Sequence, residues 1–129
     1  MINAQELRIG NWVEANSPMM QVKEITEHTV GLYMPGSEAD PFLYDIDEIN
    51  PIPLSPEILE KFGFGKDISS QYGGYLIKVK EGESIRIVND ESIGWHWPMN
   101  GYNRPITNYV HQLQNLIFAL TGEELTYKQ

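Results

Sequence analysis

The chain of 129 residues contains no cysteine. Disulfide bonds, cysteine-ligated metal ions and thiol catalysis are therefore excluded, because each requires a cysteine sulfur atom. No window approaches about 18 consecutive apolar residues, the length needed to span a membrane as a helix. The first residues, MINAQELRIG, also lack the basic region and apolar run of a secretion signal. These absences predict a cytoplasmic protein without a membrane-spanning segment.

Basic residues are also scarce. Nine lysines and arginines face 18 acidic residues, which gives a formal net charge of −9. This charge repels phosphate backbones and anionic membrane surfaces at long range. The basic residues are scattered, and the densest group is Lys78, Lys80 and Arg86. The charge therefore disfavours nucleic acid as a partner, and a protein is the expected partner.

The motifs of common catalytic sites are missing. The sequence has no G-x-S-x-G, no H-E-x-x-H and no phosphate-binding glycine loop. His28, His96 and His111 fall on separate predicted elements without the spacing of metal ligands. The sequence therefore predicts no bound cofactor and favours a non-catalytic protein. A histidine and a carboxylate that the fold brings together remain the basis of an alternative, a small hydrolase or transferase.

One acidic cluster, Asp45, Asp47 and Glu48, has ligand types that suit calcium or magnesium. It lacks the central glycine and the terminal bidentate glutamate of an EF-hand loop. Acidic residues on an edge strand also prevent another chain from adding to the sheet. We therefore interpret the cluster as a solvated acidic edge and predict no metal site.

The overall composition is typical of a globular protein, with 41% hydrophobic and 21% charged residues. The length fits a single domain over residues 1–129. Within it the pattern suggests a β-rich lobe at 1–53 and a lobe of order αβββα at 54–129.

The most regular helical pattern lies between Thr107 and Leu125. Asn108 can cap its start, and Gly122 can end it in a left-handed conformation. The apolar residues at helical spacing, which predict the buried face, are Tyr109, Leu113, Leu116, Ile117 and Leu120.

A shorter helix is predicted after residue 54. Ser55 suits the N-cap and Pro56 the first helical position, and Gly63 provides the stop. Leu54 and Leu59 are spaced to contact each other across the first turn.

Seven short segments have the composition and alternation of β-strands. They are residues 6–14, 20–25, 29–34, 42–49, 75–79, 84–88 and 93–97. Tight turns between them favour antiparallel pairing and an α+β fold, with a C-terminal helix packed on a sheet. The segment from Phe42 to Ile49 has the alternation of an edge strand. The first fifty residues are compatible with an SH3-like small barrel.

Four sequence blocks add a resemblance to these patterns. They are LRIGN at 7–11, PIPLSPEILEKFGF at 51–64, HQLQNL at 111–116 and ALTGEEL at 119–125. Together they resemble a family of small uncharacterised proteins of Bacteroidetes genomes, often found in prophage-like or mobile-element regions. The resemblance implies a bacterial or phage cytoplasmic protein with an accessory role. It implies no activity, cofactor or catalytic residue.

A polar stripe accompanies the apolar one on the terminal helix. It contains His111 and Gln114 and, one step round the helix, Asn115 and Phe118. Amide and imidazole groups can recognise a peptide backbone or a base edge. The alternative is that they bond to neighbouring strands and loops and fix the helix in place. The interaction hypothesis places a protein-binding surface on His111, Gln114 and Asn115.

Trp95, His96 and Trp97 form the second candidate site. If the segment is extended, both indoles lie on one face and can stack on a base, a sugar or a cation, or they can belong to the core. His96 then lies on the opposite face, as a surface residue or a hydrogen-bond partner.

Two further functions are alternatives. One is single-stranded nucleic-acid binding by the first half of the chain with Trp95 or Trp97, and the other is an acidic mimic of nucleic acid. The leading hypothesis is a non-catalytic protein-interaction domain.

Overall fold

The computed structural model of the chain describes residue 2 and residues 4–15, 19–34, 42–66, 74–80, 83–90, 94–97 and 107–127. These contain two antiparallel four-stranded sheets and two α-helices, which confirms the α+β class. The chain divides into two compact units. The first is Met1–Pro53 with Tyr109–Asn115, and the second is Leu54–Asn108 with Leu116–Gln129. Neither helix in the described ranges has the length and hydrophobicity needed to cross a lipid bilayer.

The first unit contains a sheet of order β1-β2-β3-β4. Its strands are β1 (Trp12–Glu14), β2 (Met19–Ile25), β3 (Thr29–Tyr33) and β4 (Phe42–Asp45). Between β2 and β3 lies a tight turn, in which the Thr29 backbone N–H donates to Thr26 Oγ1 over 3.0 Å. One core cluster of this unit consists of the buried apolar side chains of Ile2, Leu7, Val13, Ala15, Met20, Val22, Val30, Leu32 and Ile49.

This sheet is open, in contrast to the expected SH3-like barrel. A 3-10 turn, Ile46–Glu48, follows β4, and Asn50 then forms an isolated antiparallel bridge with Glu14 of β1. Their backbones exchange two hydrogen bonds, of 3.1 and 2.8 Å. The next residue that could bond to β1 by the antiparallel alternation is Ile52, and its carbonyl oxygen accepts instead from the Val110 backbone N–H over 2.8 Å. The contact therefore stays a single bridge, and the described residues contain no strand that closes the sheet.

The second unit contains a sheet of order β5-β6-β7-β8. Its strands are β5 (Gly65–Lys66), β6 (Tyr75–Lys80), β7 (Glu83–Asp90) and β8 (Gly94–His96). The last three were predicted with small differences at their ends. The two-residue β5 was not predicted, because a pair of exposed residues has no detectable alternation.

Helix α1 (Pro56–Lys61) has the ends that the sequence predicts. Ser55 is the N-cap, and its Oγ accepts from the Ile58 backbone N–H over 3.3 Å. Gly63 follows the helix with a φ of +94°, in the left-handed region. Leu54 and Leu59 are both buried.

Helix α2 (Val110–Thr121) ends at Gly122 as predicted, with a φ of +75°. Its start differs from the prediction. Asn108 Oδ1 accepts from the Trp95 backbone N–H over 2.8 Å, so this side chain holds β8. At the helix start, the Tyr109 N–H donates to Gln112 Oε1 over 3.3 Å.

The buried face of α2 is rotated from the predicted one. Tyr109 and Leu120, which the helical spacing assigns to the core, are exposed. The buried residues are Val110, His111, Leu113, Gln114 and Ile117. Two polar side chains therefore occupy positions that a hydrophobic pattern assigns to solvent, and for Gln114 the hydrogen bonds explain why.

Candidate functional site

Gln114 is 1% exposed and bridges two backbone groups at the start of β1. Its Oε1 accepts from the Trp12 N–H over 2.8 Å, and its Nε2 donates to the Gly10 carbonyl oxygen over 3.1 Å. Gly10 is a turn residue with a φ of +99°, and its own N–H donates to the Val22 carbonyl oxygen. The side-chain amide of Gln114 therefore satisfies one donor and one acceptor where this turn leads into β1.

Asn115 holds the same segment one step round the helix. Its Nδ2 donates to the Glu6 carbonyl oxygen over 2.7 Å. Its Oδ1 accepts from Arg8 Nε at 2.9 Å and from Asn11 Nδ2 at 3.0 Å. The Asn11 side chain in turn accepts from the Arg8 backbone N–H over 2.6 Å. Asn115 therefore joins both ends of the segment to α2.

Two of the family-like blocks, 7–11 and 111–116, thus contact each other. The two amides bond to groups within the first unit, which is the alternative in which they fix the helix in place. Sequence inspection proposed Gln114 and Asn115 but missed their partners Arg8 and Asn11. The signal was present in the LRIGN block, where an arginine and an asparagine stand beside a glycine of positive φ, Gly10.

His111 is the third polar residue of the stripe and is 1% exposed. Its Nε2 lies 3.7 Å from Glu6 Oε2, longer than a hydrogen bond, and the ring stacks at 6.2 Å on Tyr109. Neither ring nitrogen has a hydrogen-bond partner among the described residues. Burial lowers the pKa of His111 below its usual 6.5, and the Glu6 carboxylate opposes this with a smaller effect. The imidazole is therefore neutral at pH 7.

Replacing His111 by leucine is expected to raise the free energy of unfolding by about 1 kcal/mol at neutral pH, because two buried nitrogens without partners are removed. Between the lowered pKa of the folded state and 6.5, the unfolded chain binds a proton that the folded chain does not. The stability of the wild type is therefore complete above 6.5 and falls as the pH decreases through this window.

Urea unfolding of both chains, from neutral pH to about one unit below 6.5, measures this difference. The advantage of His111→Leu should grow as the pH falls. His28→Leu is the control, since His28 is an exposed histidine. An advantage that stays constant with pH would contradict the assignment of this titration to His111.

Of the candidate residues Trp95, His96 and Trp97, only Trp97 is partly exposed to solvent. Trp95 is buried, and its ring lies 5.9 Å from that of Tyr75, which agrees with the core interpretation. His96 is also buried and not on the surface; its Nδ1 lies 3.0 Å from the Gly94 carbonyl oxygen and donates in the Nδ1–H tautomer. Trp97 is half-buried. The two indoles therefore do not form an open stacking platform.

The acidic residues Asp45, Asp47 and Glu48 are exposed at the end of β4. The Glu48 carboxylate accepts from the Asp45 backbone N–H over 3.0 Å. Within the described ranges, no group of three histidine or acidic side chains is arranged to hold a metal ion.

Strand β4 is an edge strand, as its alternation predicts, and it exposes large apolar side chains. Phe42 is 59% and Leu43 is 66% exposed. Tyr44 and Ile46, further along, pack against the core of the first unit. Hydrophobic side chains on an open edge are unusual, because edges are ordinarily protected against further pairing.

Comparison with protein-family models, with curated proteins and with solved structures finds no match for this chain. The interpretation of the site therefore depends on the geometry of its own residues. Two features stand out in that geometry: the His111 and Glu6 pair, which is buried at the imidazole, and the apolar edge of β4, which is accessible.

Proposed function

We propose that this chain is a non-catalytic protein-interaction domain whose contact surface is the edge of β4. The observation that carries the proposal is the exposure of Phe42 and Leu43 at the end of the first sheet. In keeping with the sequence resemblance, we place the domain in an accessory protein of a phage or mobile element, acting in the bacterial cytoplasm.

Large apolar side chains that stay exposed to water are energetically unfavourable, and this cost favours a partner that covers the edge of β4. Burying a large aliphatic or aromatic side chain contributes about 1.5–3 kcal/mol, so two exposed neighbours favour association. Gln114 and His111, which the interaction hypothesis first placed on the binding surface, are too deeply buried to touch a partner. Phe42 and Leu43 take over that role in the proposal.

The test compares three chains as baits for bacterial proteins: the wild type, the double variant Phe42→Ser, Leu43→Ser, and Ile9→Ser. Ile9 is the matched control, because it is 64% exposed and lies in the same unit but outside the sheet. A protein retained by the wild type is identified, purified and titrated against all three. The double variant should bind about a hundredfold more weakly, and Ile9→Ser should bind like the wild type.

Equal affinity of all three chains, or the absence of any specifically retained protein, would overturn the proposal. Circular dichroism and thermal unfolding of the double variant verify that the loss of binding is not a loss of fold.

A small hydrolase or transferase is the second candidate, and the contact between His111 and Glu6 favours it. A histidine beside a carboxylate is the pair that a general base needs. Its weakness is that the imidazole is buried. Turnover of activated ester or phosphoester substrates by the wild type, abolished in His111→Leu, would support this candidate; no turnover across such a panel would contradict it.

A further inference from the structure

The backbone of β4 leaves both peptide groups of Leu43 facing outward. The Ile46 N–H donates to the His28 carbonyl oxygen over 2.9 Å, and β3 and β4 keep one register from there to Phe42. Antiparallel residues alternate between bonded and non-bonded pairs, so Tyr44 and Phe42 bond to β3 and Leu43 does not. The N–H and C=O of Leu43 therefore point to the open edge, and no described group bonds to them.

Further along β4, at Asp45, the outward-facing backbone N–H already has an acceptor. The Asp45 N–H also faces outward by the same alternation, but the Glu48 carboxylate accepts from it. Edges are commonly protected by charge in this way. Here the protection stops short of Leu43, which leaves a donor and an acceptor beside two exposed apolar side chains.

The sequence around this strand is acidic. Within the first unit, residues 24–53 contain seven of the 18 acidic residues and no lysine or arginine. Of these, Asp45, Asp47 and Glu48 lie at the end of β4 and in the 3-10 turn that follows it, and all three are exposed. A partner that approaches this edge therefore meets local negative charge.

We propose that the partner contributes an extended, basic segment that adds to β4 as a further strand and pairs with the backbone of Leu43. This inference rests on the proposed function. Neighbouring side chains of a strand lie on opposite faces, so Phe42 covers one face of the added strand and Leu43 the other. The segment carries apolar residues beside these two and lysine or arginine beside Asp45 and Asp47.

A second copy of this chain is a poor occupant of the same edge. Pairing β4 with itself would bring two stretches of residues 24–53 together, each with seven acids and no lysine or arginine. Like charges across a strand pair are destabilising. The chain is accordingly expected to sediment as a monomer at physiological salt.

Three fluorescent ten-residue peptides test the inference with the full chain. The first has valine and threonine at its centre and lysine near both ends, the second has glutamate in place of lysine, and the third is the first with an N-methyl group on every central peptide nitrogen. Binding is measured by fluorescence anisotropy. The lysine peptide should bind at least about tenfold more tightly than the other two, because the glutamate peptide is repelled and the methylated one has no central N–H to pair along either edge. Its affinity should fall as salt is added.

Two substitutions at one position separate strand addition from simple apolar contact. Leu43→Pro removes the side chain and the outward N–H, whereas Leu43→Ala removes only the side chain. Proline is tolerated on an edge strand where its N–H would face solvent, so pairing with β3 is retained. Leu43→Pro should bind the lysine peptide about tenfold more weakly than Leu43→Ala.

The failures of the two proposals are distinguishable. If the methylated peptide binds as well as the parent, or if Leu43→Pro and Leu43→Ala bind equally, strand addition is overturned while the β4 surface stands. If the glutamate peptide binds as tightly as the lysine peptide, the basic character of the segment is overturned. If the purified partner itself is indifferent to Phe42→Ser, Leu43→Ser, the proposed function fails as well.

Discussion

Replacing Gln114 by alanine is expected to lower the free energy of unfolding by about 3 kcal/mol, because a buried donor loses its acceptor and a cavity remains. The donor is the Trp12 backbone N–H, whose bond to Gln114 Oε1 is lost. The Gly10 carbonyl oxygen is less affected, since it also accepts from Gln21 Nε2 over 3.2 Å. Urea unfolding followed by circular dichroism measures the change.

Gln112→Ala is the matched control for this prediction. Gln112 belongs to the same helix but is only half-buried, and its side chain bonds to an exposed N–H at the helix start. We expect a loss below about 1 kcal/mol. Similar losses for Gln112→Ala and Gln114→Ala would show that the buried amide contributes no more than helix propensity.

Replacing Gly94 by alanine is expected to cost about 3 kcal/mol as well, by a steric route. Gly94 has a φ of +81°, a left-handed conformation that costs an L-residue about 1–2 kcal/mol. The new Cβ would also overlap the Asn108 side-chain amide. Asn108 must then move away from the Trp95 N–H, and the bond that holds β8 is lost.

Gly122→Ala separates the cost of the left-handed backbone conformation from the cost of the steric overlap with Asn108. Gly122 has a similar φ, +75°, but a Cβ there would meet no heavy atom within 4 Å. Its cost should be only about 1 kcal/mol. In the background of Asn108→Ala, Gly94→Ala should likewise cost only the backbone term, so the two substitutions should be non-additive. Full additivity would contradict the proposed clash.

The parts of the fold that sequence predicts best are the ones set by local chemistry. Ser55, Pro56 and Gly63 place α1 through their own backbone preferences, and Gly122 ends α2 in the same way. Strand pairing by tight turns is also local, so the antiparallel α+β class could be predicted. The open first sheet could not, because closure depends on how Asn50 reaches Glu14 from a distant part of the chain.

The buried face of α2 shows what periodicity cannot supply. Hydrophobic spacing assigns Tyr109 and Leu120 to the core, yet both are exposed. His111 and Gln114 are buried instead, and the reason for Gln114 lies in backbone groups about a hundred residues away. The amide stripe was recognised as special from sequence, but its partners were not. The edge position of β4 was predicted from alternation, whereas the exposure of Phe42 and Leu43 was visible only once strand order was known.

The contribution of Gln114 to the first unit also has a consequence for synthesis on the ribosome. The bonds from Gln114 to Gly10 and Trp12 span 104 and 102 residues of sequence. Long-range contacts of this kind slow folding, since a large loop must close before they form. The four strands of the first sheet emerge early, but Gly10 and Trp12 lack their partner until Gln114 has left the exit tunnel. During that interval the unit is incomplete, and Phe42 and Leu43 are exposed on a nascent chain whose negative charge opposes aggregation.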